Sequence, residues 1–412
     1  MTLLRNVDIV PQDSMAVDAF GRWRVSDPYT IFDSKQLFDN GPLYWDDQEV
    51  SGGSTTSNYS QAGAKTTMLV AASTAGKRVR QTKMRFNYQP GKSQLVLLTS
   101  KISAVPSGIT AGVGMFDDDN GIFFTVIDGV LYAAIRSSTS GSAVDTAVAQ
   151  SSWNVDPLDG TGPSGITIDP TKCQIMFFDM EWLGVGRVRM GFVIDGAFII
   201  AHEFNHANSV TSVYMSTPNL PLRYEIANDG TAAETTMDHI CSTIMSEGGI
   251  DPNGQVRYIS TAGAAVATTT ENVIYAVVGI KLKAANLGAT IDVIGANIHI
   301  QTVSEMGEWT LRLNPTVAGT FTYADVTNLS LQRALGATAN TVTGGTILQG
   351  GFGSSSSASG GGSGTVGEAV ETAIRLGSLI DGTPDEMVLC WMPVGGTSAQ
   401  EVEGAITVRE LS

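Results

Sequence analysis

Val126-Ile127-Asp128-Gly129-Val130-Leu131-Tyr132 and Val193-Ile194-Asp195-Gly196-Ala197-Phe198-Ile199 decide the fold. In each, two apolar runs flank Asp-Gly. Gly supplies the positive φ that a primed two-residue turn needs, so each stretch predicts a β-hairpin. The surrounding sequence extends both hairpins into sheets. Arg85–Gln89 alternates, Ser93–Thr99 and Ile122–Ile127 are apolar runs, and Gln174–Trp182 and Gly186–Ile194 follow. Runs of this length between turn signals read as strands of a sandwich.

Composition agrees. Gly accounts for 46 of 412 residues and charged residues for only 16%, against about 25% in ordinary soluble domains. That balance suits short strands joined by tight turns, not helices. The formal charge of -16 opposes the counterion displacement on which nucleic-acid binding depends, so no direct nucleic-acid partner is expected. A local basic stretch at Lys77, Arg78, Arg80, Lys83 and Arg85 reads as a solvated strand face or a subunit contact. Three widely spaced cysteines, Cys173, Cys241 and Cys390, form no disulfide framework and fit a reducing cytoplasm. Residues 1–11 do not read as a secretory signal, and no apolar run reaches the ~18 residues of a membrane span.

Three regions are expected. Residues 1–50 form an extended N-terminal arm: Phe20, Trp23, Tyr29 and Phe32 follow no period of 2 or 3.6, and aromatic side chains without a period suit rings that anchor in other surfaces. Residues 51–248 form the first sandwich. After the turn Asp251-Pro252-Asn253-Gly254, residues 249–412 form a smaller sandwich or jelly roll, with strands near 273–283, 290–303, 308–313, 388–392 and 405–408. A Gly/Ser-rich loop at 350–365 interrupts it, too costly in ordering entropy to form a core.

Chemistry-bearing patterns are few. His202-Glu203-Phe204-Asn205-His206 satisfies H-E-x-x-H, a zinc-protease pattern that requires a helix. It follows a hairpin strand, where positions four apart lie ~13 Å from each other, too far for one zinc. Asp179 and Glu181 share one strand face at roughly 6.5–7 Å, a spacing open to a glycosidase pair or to a plain polar face. Asp117, Asp118 and Asp119 before Asn120-Gly121 offer oxygen ligands for Ca²⁺ or form an ordinary hairpin turn. Trp153, Trp182 and Tyr214 are candidate glycan-contact rings or core aromatics. Gly160, Gly162, Gly165, Gly184 and Gly186 make no phosphate-binding pattern, so no cofactor is expected.

Phe20–Gln36 resembles the N-terminal segment of virion structural proteins of tailed bacteriophages. Trp153–Gly165, Trp182–Arg189 and Asn219–Ile226 are similar to the same group. The resemblance spans roughly residues 15–245. It implies a concanavalin-like sandwich in a particle component on the tail, neck or head, oligomeric and without catalytic residues. The expected partners are copies of itself (a trimer favoured), other virion proteins and a host-surface glycan. The protein is expected to fold in the host cytoplasm before it joins the virion. The alternatives are a carbohydrate-binding adhesin module and a concanavalin-like glycoside hydrolase.

Overall fold

The computed structural model describes residues 17–23, 28–355, 375–395 and 399–411. Among them there is no α-helix; strands and two short 3₁₀ turns carry the architecture. The chain divides into two compact units. One comprises Met1–Thr82 and Tyr88–Asp251, the other Lys83–Asn87 and Pro252–Ser412.

The strands of the first unit, in chain order, are β1 (Tyr29–Lys35), β2 (Trp45–Gly52), β3 (Thr55–Ser60), β4 (Lys65–Val70), β5 (Ala75–Thr82), β6 (Ser93–Ile102), β7 (Ile109–Phe116) and β8 (Gly121–Ile127). They continue with β9 (Val130–Ser137), β10 (Val144–Ala149), β11 (Gln174–Met180), β12 (Val188–Ile194), β13 (Ala197–Phe204), β14 (Leu222–Asp229) and β15 (Thr235–Glu247). Two antiparallel sheets result. One runs β13-β12-β11-β6-β15-β4-β3, with β1 also on β15; the other runs β10-β9-β8-β7-β14-β5-β2. β15 is long enough to pair β4 through its first half and β1 through its second.

The sheets face each other across an aromatic core. Phe124 of one sheet packs on Phe178 and Phe192 of the other at 5.4 and 4.8 Å between ring centres. This is a two-sheet antiparallel β-sandwich. Both Asp-Gly turns are formed as expected, with φ of 50° and 85° at Asp128-Gly129 and of 51° and 79° at Asp195-Gly196.

The structure shortens the expected arm. Residues 29–35 and 45–52 are strands of the sandwich, and Phe32 is buried, 5.8 Å from Tyr44 and 6.2 Å from Trp45. Their irregular pattern has a physical cause: β-bulges between Thr30 and Phe32 and between Glu49 and Ser51 break the two-residue period. Val17–Trp23 is tied down as well. Val17 bridges Trp23, and the carbonyls of Val17 and Ala19 accept from Arg189 and Arg187 at 2.7 and 3.2 Å. Residues 1–16 and 24–27 lie outside the described part. The strand expected at 85–89 is absent; residues 83–87 belong to the second unit, where Ser378 N–H donates to the Lys83 carbonyl at 2.9 Å.

The second unit contains β16 (Gln255–Ser260), β17 (Val266–Ala267), β18 (Tyr275–Leu282), β19 (Thr290–Ile300), β20 (Met306–Leu313) and β21 (Thr316–Val317). They are followed by β22 (Tyr323–Asp325), β23 (Leu331–Leu335), β24 (Val342–Thr343), β25 (Thr346–Ser354), β26 (Glu386–Gly395) and β27 (Glu401–Leu411). A six-stranded sheet β22-β23-β18-β26-β20-β25 and a smaller one of β16, β17 and β19 around β27 enclose Val277, Ile298, Leu311, Leu389, Trp391 and Ile406. Most of the expected Gly/Ser-rich loop, from residue 356 onward, lies outside the described residues.

Candidate functional site

The carboxylates that could do chemistry are engaged in structure. Asp179 lies directly opposite Arg189 in the β11–β12 ladder, and both side chains are fully buried. Arg189 Nε donates to Asp179 Oδ2 at 2.9 Å, and a second, shorter contact runs from its Nη2. Glu181 is half-buried. Burial raises its pKa and the nearby Arg187 partly offsets this, while Asp179, on the adjoining strand end, is sealed from any substrate.

The acidic run at 117–119 builds its own turn. Asp117 Oδ1 accepts the backbone N–H groups of Asp119 and Asn120 at 2.8 Å each, and Asp118 pairs with Arg223 at 2.8 Å. Among the described residues, no three His, Cys, Asp or Glu side chains gather to hold a metal. Of the two H-E-x-x-H histidines, only the first lies on the strand. His202 is on β13 and accepts from Asn154 N–H at 3.2 Å, whereas His206 lies past the strand end. The basic stretch is neutralised locally: Lys77 pairs with Glu225 at 2.9 Å, and Arg78 and Arg80 pair with Asp47 at 2.6 and 3.2 Å.

Each of the three candidate glycan rings is anchored by a hydrogen bond to a backbone carbonyl. Trp153 is buried against Phe124 and donates its Nε1–H to the Val148 carbonyl at 3.0 Å. Trp182 donates to the Met215 carbonyl at 3.2 Å, and the buried Tyr214 donates to the Glu181 carbonyl at 3.1 Å. The last two bonds bolt the loop 205–216 onto the turn 181–187. Of the four expected arm rings, Trp23 and Tyr29 remain largely exposed at 56% and 45%; Phe20 is partly covered, 5.0 Å from the Arg22 guanidinium.

Bolting that loop in place opens a cleft beside the hairpin β9–β10, with a volume of about 640 Å³. Its walls include Ser137, Thr139, Thr146, Asn205, His206 and Ser209, and no charged residue lines it. His206 is stacked on Tyr214 at 4.1 Å with the rings nearly parallel, and its Nδ1 lies 2.6 Å from the Gly186 carbonyl. The carbonyl can only accept, so Nδ1 carries the proton, and burial lowers the ring's pKa. A neutral ring held this way keeps Nε2 as an acceptor. Asn120, buried, fastens the cleft's base: its amide donates to Ser138 Oγ at 3.1 Å, and its Oδ1 accepts from Ser216 N–H at 3.0 Å.

One wall of the cleft is a sheet edge. β10 pairs only with β9 among the described strands, and Val144, Asp145, Thr146 and Ala147 are all exposed. Val144 (55%), Val210 (42%) and Val213 (37%) rim the opening. Sequence reasoning missed this surface, although the Ser/Thr/Asn-rich run at 205–212 was visible.

No protein-family model matches the chain, and no curated protein matches it. Among solved structures it is similar to a Bacteroides ovatus mixed-linkage glucan GH16 in complex with a product (9% identity, TM-score 0.35, covering 52% of this chain and 99% of that one). It is also similar to a legume lectin-like domain from Entamoeba histolytica (9%, TM-score 0.32, 53% and 97%). A third is the CBM2 module of the evolved Dit of Lactobacillus casei BL23 phage J-1 (7%, TM-score 0.37, 54% and 98%). These neighbours are lectin-like, carbohydrate-binding-module and glycoside-hydrolase domains.

Proposed function

We propose that this chain is a structural protein of a tailed-phage particle that works by contact and not by catalysis, joining copies of itself through its first unit. The observation that carries this reading is the unpaired edge of β10 beside a neutral, valine-rimmed cleft. An exposed edge offers a row of backbone donors and acceptors, and a second copy covers them by extending the sheet. The uncharged walls suit a protein surface or a neutral ligand and are unsuited to phosphate or a cation. The non-catalytic half of the reading rests on Asp179, whose carboxylate is spent on Arg189. The phage assignment rests on the resemblance carried by residues 20–36, 153–165, 182–189 and 219–226.

Light scattering on the purified chain tests it. The wild type is expected at a small integer multiple of the monomer mass, a trimer being favoured. Lys at Val144 and Thr146 places charge on the edge, and the variant V144K/T146K is expected to dissociate. A wild type that is monomeric at micromolar concentration overturns self-assembly, and an oligomer indifferent to the two lysines moves the interface away from β10.

A further inference from the structure

The second unit carries a separate pit on the outer face of its smaller sheet. β27 runs between β16 and β19, and the register sets Tyr258 beside Thr407, Asn297 beside Ala405 and His299 beside Glu403. Ile259, Ile298, Val402 and Ile406 point into the core, so the alternation of the strands sends Tyr258, Asn297, His299 and Glu403 to the other face. These four side chains, with the turn at Thr261–Gly263, enclose about 100 Å³.

Its chemistry is specific. The Tyr258 ring is 65% exposed, which a ring needed only for packing is not. Among the described residues, the polar atoms of the Tyr258, Asn297 and His299 side chains make no hydrogen bond with protein. Glu403 accepts from Gln301 Nε2 at 2.8 Å through one oxygen only. A flat apolar ring at the rim of a pit, with an amide, an imidazole and a carboxylate oxygen free inside it, complements a sugar. The C–H face of the sugar lies on the ring, and adjacent hydroxyls meet groups that both donate and accept. One carboxylate in the pit and a net charge of -16 oppose an acidic sugar. His299 and Glu403 alone are too few to hold a cation.

We propose that this pit is a saccharide-binding site that takes one neutral hexose unit. It rests on the contact reading above only for the idea that the chain acts by binding; its residues are in the other unit. The test is saturation-transfer NMR on the full chain with methyl glycosides of glucose, galactose and mannose, and with methyl glucuronoside as the acidic control. Transfer is expected from at least one neutral glycoside and none from the glucuronoside. Tyr258→Ala is expected to weaken binding roughly tenfold and Asn297→Ala several-fold, whereas Tyr258→Phe, which keeps the ring, stays close to wild type. Far-UV spectra and melting curves check that each variant is folded. No transfer from any neutral hexoside, or transfer unchanged in folded Tyr258→Ala and Asn297→Ala, overturns the proposal. Light scattering reads the β10 interface independently: Tyr258→Ala leaves the mass unchanged if the pit is a sugar site. A lower mass identifies the pit as a subunit contact and overturns it.

Discussion

Arg80 donates its Nε–H to Nδ1 of His239 at 3.0 Å, with both side chains buried between the sheets of the first unit. This bond fixes the tautomer. Nδ1 accepts, so Nε2 carries the proton and reaches Ser242 Oγ at 3.0 Å, which in turn meets the Tyr224 hydroxyl at 2.9 Å. Tyr224 also stacks on the imidazole at 4.2 Å, and Trp45 lies 4.4 Å from it on β2. The other nitrogens of Arg80 reach Asp47, Gln36 and the Asn40 carbonyl, so one guanidinium ties residues 36–47 to the core.

A protonated His239 would face the Arg80 cation without water. Burial, reinforced by that cation, holds its pKa well below the ordinary histidine value. The folded state therefore refuses a proton that the unfolded chain takes up as pH falls below about 6.5, and stability rises with pH through that range. His202 and His206, also depressed by burial, act in the same direction. Stability is expected to be level above about pH 7.5 and to fall below about 6.5, with the buried His239 contributing to that loss. Urea titrations at several pH values check this. In His239→Gln the slope between pH 6.5 and 5.5 should be shallower; an unchanged slope rules out His239 as its source.

The Asp179–Arg189 pair makes a second prediction. Removing one buried partner strands the other charge, so Arg189→Met is expected to cost about 3–5 kcal/mol. The double variant D179L/R189M should recover most of that, because a buried pair replaced by apolar side chains of similar size is often neutral. The cycle has a local component: Arg189 also holds the Val17 carbonyl, so proteolysis before residue 23 should quicken in both variants. Equal destabilisation of single and double variants would show that packing, not charge, dominates the site.

Gly196 isolates the cost of a turn. Its φ is 79°, and a Cβ added there meets nothing within 4 Å, so Gly196→Ala changes backbone strain and little else. The expected loss is about 1–2 kcal/mol. Thermal unfolding measures it, and a variant as stable as wild type would mean that the β12–β13 turn relaxes freely.

The same turn shows why part of the fold was legible. Asp-Gly declares its conformation locally, and apolar runs on either side declare the strands. β1 and β2 hid because bulges shift their alternation. The paired roles of Asp179 and Arg189 hid because they depend on register across a turn of seven residues, 181–187. Ring exposure was least legible. Trp153, Trp182 and Tyr214 read no differently from binding rings until the carbonyls they bond are placed, and Tyr258 is exposed because the register of β16 turns it to the face away from the core. Such properties belong to contacts distant in sequence, which composition and period do not encode.

Asn120 gives the cleft its shape, and its removal tests whether that shape is held or improvised. One buried amide joins three segments: the turn at 117–121, the loop after β9 through Ser138, and the loop before β14 through Ser216. No apolar residue replaces these bonds, and Asn120→Ala leaves the Ser138 and Ser216 backbone donors without their partner. A net loss of about 4 kcal/mol is expected, at about 1 kcal/mol for each of the four hydrogen bonds lost. The more telling effect is local. The loops at 137–143 and 205–216 carry the cleft walls, so their amides should exchange with deuterium faster in the variant, while β6, β11 and β15 in the opposite sheet keep their protection. If the cleft with the β10 edge forms the subunit contact, the variant also weakens the oligomer without altering the edge itself. Uniformly faster exchange across both sheets would instead show that Asn120 supports the whole fold and that the cleft has no separate rigidity.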